Sequence, residues 1–258
     1  MDLIQLNRFS DLHDEKNVFF CKTDFIIETF NQIKSLDNEV VLVTGNSDYG
    51  ITDSHISIMP KNIKKWYAQN AISNHPVIEP LPLGIENKFP SSRLNHGVGY
   101  FDRVTEKEQL LNRKIDIVPN KFIYSNFDVE TNSNIRTPYM NLSKQLSHID
   151  WEESNLPLEK FFDRILEYKM ILCPQGNGVD THRLWEVLYS NRVPITVKSN
   201  NHKIYELYKK LPIIILDNIN QLRDYKYIEY QYDIVKNKNN NLELLELSYW
   251  VNKIKTEL

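Results

Sequence analysis

The segment Pro174-Gln175-Gly176-Asn177-Gly178-Val179-Asp180-Thr181-His182-Arg183 crowds donors, one acid and two of the chain's seven glycines into a single loop. Gly176 and Gly178 let the backbone turn tightly and approach a ligand closely. Thr181 and the local N–H groups suit phosphate oxygens, and Arg183 can clamp them with paired donors. Glu186, one helical turn on, is a candidate acceptor for ribose hydroxyls. The plainer reading makes Asp180 a helix cap and Arg183 and Glu186 a solvated pair. Capping does not explain Gly, Asn, Gly, Thr, His and Arg together. The loop is neither G-x-G-x-x-G nor a Walker loop, so neither a dinucleotide enzyme nor a P-loop NTPase is favoured.

The flanking elements position this loop. Met170-Ile171-Leu172-Cys173 is a short apolar run cut off by Pro174, Leu184, Val187 and Leu188 share one helical face, and Val193 to Val197 starts a new strand. Strand, loop, helix and strand form one βαβ unit. Its helix start offers unpaired N–H groups and the positive end of a dipole, a seat for an anion such as a nucleotide or sugar phosphate.

The run from Cys173 to Val197 resembles the donor-binding signature of exostosin-like glycosyltransferases and their bacterial and viral relatives: Cys-Pro, Gly-x-Gly, Asp-Thr-His-Arg, x-Trp-Glu-x-Leu, then x-Pro-Ile. The resemblance implies a GT-B type enzyme, α/β in class, with two Rossmann-like domains facing across a cleft. The C-terminal domain would hold a nucleoside-diphosphate sugar and the N-terminal one a glycan acceptor. Carried over, Gly176, Asn177, Gly178, Thr181, His182 and Arg183 would lie around the diphosphate, Glu186 near ribose or sugar hydroxyls, and Asp180 also among the donor-binding residues. Tyr124-Ser125-Asn126-Phe127 through Thr131, Asn132 and Arg136 is similar to that family's first C-domain loop, making Asn126 and Arg136 further candidates. Without the likeness, Arg136 reads as a surface arginine. Such enzymes offset the leaving diphosphate with basic residues and a helix N-terminus. No Asp-x-Asp triplet occurs, so no metal or other cofactor is expected, and the likeness tilts toward inverting transfer.

An inverting transfer needs a base for the acceptor hydroxyl. Asp48, just past a buried strand in Asn46-Ser47-Asp48-Tyr49-Gly50, is the first candidate. Glu86, His55 and His96 follow it. Lys65-Trp66-Tyr67-Ala68-Gln69-Asn70 has the texture of a sugar-stacking surface, although a buried Trp in a helix is the plainer reading. Cys173 and His182 are set on opposite sides of the turn, which disfavours a thiol nucleophile, and the histidines show no metal-ligand spacing.

Alternating β and α elements are expected throughout. They are strands at 18–21, 39–44, 122–124, 170–173, 193–197 and 213–216, and helices at 24–36, 63–71, 105–114, 138–146, 158–168, 202–210 and 242–254. An extended segment covers 77–85. Residues 1–117 form the expected acceptor-side domain and 118–258 the donor-side domain, the last helix packing back on the former. A single doubly wound domain is the alternative.

Composition bounds the rest. The 258 residues carry a net charge of −3 and are 41% hydrophobic, which disfavours a nucleic-acid partner bound by broad phosphate neutralisation. Two cysteines give no disulfide framework, and neither an apolar leader nor a transmembrane run is apparent, so a cytoplasmic chain is expected. Two other classes stay open: a non-catalytic nucleotide-sugar binding module, and another α/β enzyme acting on sugar phosphates or nucleotides.

Overall fold

The structure, a computed structural model, describes residues 2–14, 17–89, 98–113 and 117–257. His96 therefore lies outside the described residues.

Strands β1 (Val18–Lys22), β2 (Val40–Gly45), β3 (Ile63–Ala68) and β4 (Ile78–Pro80) form a parallel sheet in that order, with α1 (Ile26–Lys34) and α2 (Asp53–Ile58) in its first two crossovers. A small parallel pair, β5 (Asn87–Phe89) and β6 (Val98–Tyr100), precedes α3 (Phe101–Leu111). The second sheet contains β7 (Lys121–Ser125), β8 (Ile149–Trp151), β9 (Tyr168–Leu172), β10 (Val193–Val197) and β11 (Ile214–Leu216). Its spatial order is β11-β10-β9-β7-β8, every pair parallel. Helices α4 (Ser133–Gln145), α5 (Leu158–Glu167), α6 (His182–Tyr189), α7 (Ile204–Tyr208), α8 (Tyr225–Asn237) and α9 (Leu247–Lys255) complete the chain. The fold is α/β with two parallel sheets, compatible with Rossmann-like architecture. The described strands thus do not form the single doubly wound sheet held as the alternative.

Strand alternation explains how the sheets pack. In β2, Val40 and Leu42 face a cluster with Phe30 and Ile33 of α1, whereas Val41 and Val43 face a larger core. In the second sheet Ile123, Met170 and Leu172 pack toward Leu142 of α4 and Ile228 of α8. Tyr124, Ile171 and Cys173 turn to the larger core, which also takes Phe162 of α5 and Trp185 of α6. One apolar core thus joins residues of both sheets. The C-terminal helix reaches back to the first sheet: Trp250 lies in that core, and Lys253 Nζ is 2.7 Å from Glu79 Oε1.

Three expected elements change. Residues 63–71 do not form a helix; Ile63–Ala68 is β3, with both faces buried from Trp66 to Ala68. Trp66 meets Phe30 edge-on at 5.5 Å and donates from Nε1 to Thr44 Oγ1 at 2.9 Å, while Tyr67 enters the other core. Two aromatics that lie on opposite sheet faces are adjacent in sequence, which a strand allows. Being wholly buried, neither is available to stack on a sugar. The helix expected from Pro138 starts at Ser133, capped by the Asn132 side chain accepting from the Ile135 amide. Leu242–Leu245 is a 3-10 turn, and the helix follows at Leu247. Helices α2 and α8 and strands β5, β6 and β8 have no counterpart among the expected elements. No helix among the described residues is long and apolar enough to cross a membrane.

Candidate functional site

In the second sheet β7 has β8 on one side and β9 on the other, so the direction of strand addition reverses between β7 and β9. At such a switch point the two following loops part and leave a crevice at the carboxyl ends of the strands. The loop after β7 leads into α4 and Arg136. The loop after β9 is the glycine segment leading into α6. Facing them are the loops after β2 and β3 of the first sheet. Between these four lies a cleft of about 320 Å³.

Gly176, Asn177, Gly178, Thr181, His182 and Arg183 line this cleft together with Arg136. Asp48, at the opposite wall beside Asn46 and Ser47, lines it too. The sequence candidates are therefore largely gathered in one place.

Arg136 owes its position to the early start of α4. It is 9% exposed, donates from Nε to the Gln175 carbonyl at 3.0 Å and from Nη1 to the Asp128 carbonyl at 2.7 Å. It makes no ion pair among the described residues. Burial, and then the like charge of Arg183, push its guanidinium below the usual arginine range. A buried cation held by carbonyls and beside a second cation, with Asp128 acting on it only from beyond ion-pair distance, would be stabilised by an anion in the cleft. A Cβ on Gly176 would sit 3.3 Å from Arg136 Nη2, so the glycine keeps this guanidinium edge uncovered.

Arg183, at the second position of α6, stacks over the Phe161 ring at 4.0 Å. Its Nη1 donates to the Asn126 carbonyl and its Nε lies 3.2 Å from Glu186 Oε2. Thr181, not Asp180, occupies the helix cap, and its side chain makes no capping hydrogen bond. The first N–H groups of α6 are thus left for water or a ligand, as at any uncapped helix start.

Asp180 lines the cleft, but its carboxylate is already engaged. It accepts from Trp185 Nε1 at 2.8 and 3.0 Å, from the Tyr208 hydroxyl at 2.7 Å and from the Leu83 amide at 2.9 Å. Burial pushes its carboxyl up to about 6, the donors and His182 only partly offsetting it. It is a brace under the loop and has no oxygen to spare for a ligand. His182 Nδ1 lies 2.8 Å from the Gly84 carbonyl; because that oxygen only accepts, Nδ1 donates to it, and in the neutral imidazole Nε2 is the acceptor.

Two candidates lie elsewhere. Asn126 donates both its amide hydrogen bonds to the carbonyls of Glu152 and Glu153, at 3.1 and 2.7 Å, which fixes the turn after β7. Glu186 is buried, one oxygen on Arg183 and the other 2.5 Å from Lys107 Nζ. Both line a smaller polar cavity behind Arg183 and not the main cleft. The expectation that Glu186 meets ribose hydroxyls is corrected accordingly: each oxygen is engaged by a cation, and the side chain is buried away from the main cleft.

The other base candidates separate as well. Glu86 lies in the smaller cavity, 2.5 Å from Lys107 Nζ. Its burial acts upward, but Lys107 and then His182 outweigh it and hold the carboxyl below the usual range. His55 closes a capping box with Thr52 at the start of α2. Asp48 and Asp180 are the two carboxylates among the described cleft residues, and of these Asp48 is exposed. Burial pushes the Cys173 thiol up to about 12, so it stays protonated.

Sequence reading missed Lys107, and it named Asn70 only within a sugar-stacking stretch and not as a bridge between the walls. Lys107 sat within an ordinary charged helical stretch, with no local sign that it would be buried. Asn70 has φ 49° and is 1% exposed; it links Ser47 of one wall to Asp180 of the other. Its position just past an apolar run was the available signal, since Asn tolerates the left-handed conformation that ends strands. Among the described residues no group of three or more His, Cys, Asp or Glu is gathered to hold a metal. Comparison with models of known protein families gives no match, and neither does comparison with curated protein sequences.

Proposed function

We propose that this chain is a glycosyltransferase that moves a sugar from a nucleoside-diphosphate sugar to a hydroxyl of a glycan acceptor, with inversion and without a metal. The observation that carries the reading is Arg136, a buried arginine without an ion pair, sharing a cleft with Arg183, two glycines and an uncapped helix start. That set is suited to a diphosphate whose charge grows as it departs. The exostosin-like signature supplies the donor class, and a GT-B arrangement would place the acceptor against residues 1–117 and the donor against 118–258.

In the proposed reaction the acceptor oxygen attacks the anomeric carbon from the face opposite the diphosphate. The new C–O bond forms as the bond to the phosphate oxygen breaks. The hydroxyl proton passes to Asp48, and the electron pair leaves on the diphosphate, stabilised by Arg136, Arg183 and the first N–H groups of α6. The buried thiols of Cys21 and Cys173 suit a reducing cytoplasm.

The test is transfer from a panel of UDP-, GDP- and CMP-sugars, with and without chelator. Arg183→Ala is expected to abolish transfer while leaving the circular dichroism spectrum unchanged. Near-normal turnover in that variant would overturn the reading. Donor binding without transfer would instead favour a non-catalytic nucleotide-sugar module, and a strict requirement for added Mg²⁺ or Mn²⁺ would favour another α/β phosphate enzyme.

A further inference from the structure

Arg183 ends a buried row of alternating charge. Its Nε is 3.2 Å from Glu186 Oε2; Glu186 Oε1 is 2.5 Å from Lys107 Nζ; and Lys107 Nζ is 2.5 Å from Glu86 Oε2. Lys107 is 4% exposed and Glu186 5%. Lys107 comes from α3 and Glu86 from the segment entering β5, whereas Glu186 and Arg183 share α6. Burial disfavours the Lys107 ammonium, but Glu186 and Glu86 outweigh that and keep it charged.

We propose that Lys107 is a positioning residue for Arg183, holding it free to bind an anion by occupying one oxygen of Glu186. An arginine beside an unshared carboxylate forms a two-pronged pair, in which both carboxylate oxygens and two guanidinium nitrogens are used. Here Lys107 takes Oε1, so Glu186 meets Arg183 only at Nε. Nη1 goes to the Asn126 carbonyl and the guanidinium face to Phe161. Nη2 is left without a hydrogen-bond partner among the described residues, on a side chain that borders the cleft. Without Lys107, the full charge of Glu186 falls on Arg183, closes the two-pronged pair and cancels the cation that faces the ligand. The proposal rests on the reading of the cleft as a diphosphate seat.

Calorimetric titration of the full chain with inorganic pyrophosphate tests it. Lys107→Met is expected to weaken binding by about tenfold or more, the scale of one charge-assisted contact. Adding Glu186→Gln to Lys107→Met removes the competing charge and is expected to restore affinity to within about threefold of the unaltered chain. A lysine needed only for packing would give no such rescue. Lys107→Gln, which keeps a hydrogen bond to Glu186 without the charge, follows the same order should the methionine variant not fold. Unchanged binding in Lys107→Met, or a double variant as weak as the single one, overturns the proposal alone. Absence of pyrophosphate binding by the unaltered chain overturns the diphosphate reading and this proposal with it.

Discussion

The Asp180 amide donates to Asn70 Oδ1 at 2.9 Å, so the glycine loop after β9 is tied to the turn just past β3 in the other sheet. Asn70 is held at its other end as well, with Nδ2 donating to the Ser47 carbonyl at 3.0 Å. One buried amide thereby sets the spacing of the two cleft walls.

Gly178 packs directly on that amide. A Cβ there would lie 2.7 Å from Asn70 Nδ2, and Asn70 cannot retreat without giving up its bonds to both walls. Gly178→Ala is expected to cost about 1–3 kcal/mol, as overpacking does, and to weaken pyrophosphate binding in parallel. Urea denaturation and calorimetry on the same sample check both. A variant as stable and as tight-binding as the unaltered chain would show that the walls move independently.

Asp180 gives the fold a pH signature. Its folded pKa of about 6 stands above the ordinary 3.8, so the folded state holds the proton more tightly than the unfolded chain. Its stabilising effect is complete below the unfolded value and is lost as pH rises to the folded one, about 3 kcal/mol in all by linkage. Glu86 has the opposite sign: its folded pKa is depressed, so its contribution is lost only as pH falls below the ordinary carboxylate range. His55 and His202, lowered by burial, also favour higher pH. Subtracting the pH profile of Asp180→Asn from that of the unaltered chain isolates the first effect. The difference is expected to favour the unaltered chain increasingly from pH 7.5 to 5, by about half of the total. A flat difference would place Asp180 in an ordinary carboxylate environment.

Much of the donor-side arrangement was legible because it is local. Met170 to Val197 writes its own strand, turn and helix, and the same short segment supplies Gly176, Gly178, His182 and Arg183. What was not legible depends on the other sheet. Trp66 and Tyr67 read as helical neighbours because sequence does not reveal that a core lies on each side of β3. Glu186 read as a ligand residue because Lys107 is far away in sequence and arrives only on folding. Asp180 read as a cap because its true donors, Leu83, Trp185 and Tyr208, include two supplied by other elements. Helix α8, Tyr-Lys-Tyr-Ile-Glu-Tyr-Gln-Tyr, masks its period because its tyrosines fall on both faces: Tyr230 is exposed, while Tyr227 and Tyr232 pack against the core with Ile228.

Arg136 separates charge from shape. Lysine at this position keeps the cation but cannot hold the Gln175 and Asp128 carbonyls while presenting a third nitrogen to the cleft. Arg136→Lys is expected to lower pyrophosphate affinity about tenfold, equivalent to about 1.4 kcal/mol, with a smaller change in urea midpoint than Gly178→Ala. Affinity equal to that of the unaltered chain would mean that a point charge suffices there.

Asp48 tests the acceptor side. Its carboxylate is exposed and borders the cleft, so Asp48→Asn should leave the fold intact. As general base it should contribute about 10²–10⁴-fold to turnover and nothing to pyrophosphate binding. The expected result is a loss of kcat at unchanged anion affinity. If kcat survives, the proton must go to another group in the cleft. His182 is then the group to test, because Nδ1–H on the Gly84 carbonyl leaves Nε2 as a base. Gly84 has φ 69°, and a Cβ there would meet the Ile4 carbonyl oxygen at 2.1 Å, so the backbone that fixes this tautomer has little freedom to shift. His182→Gln added to Asp48→Asn would then abolish the remaining turnover.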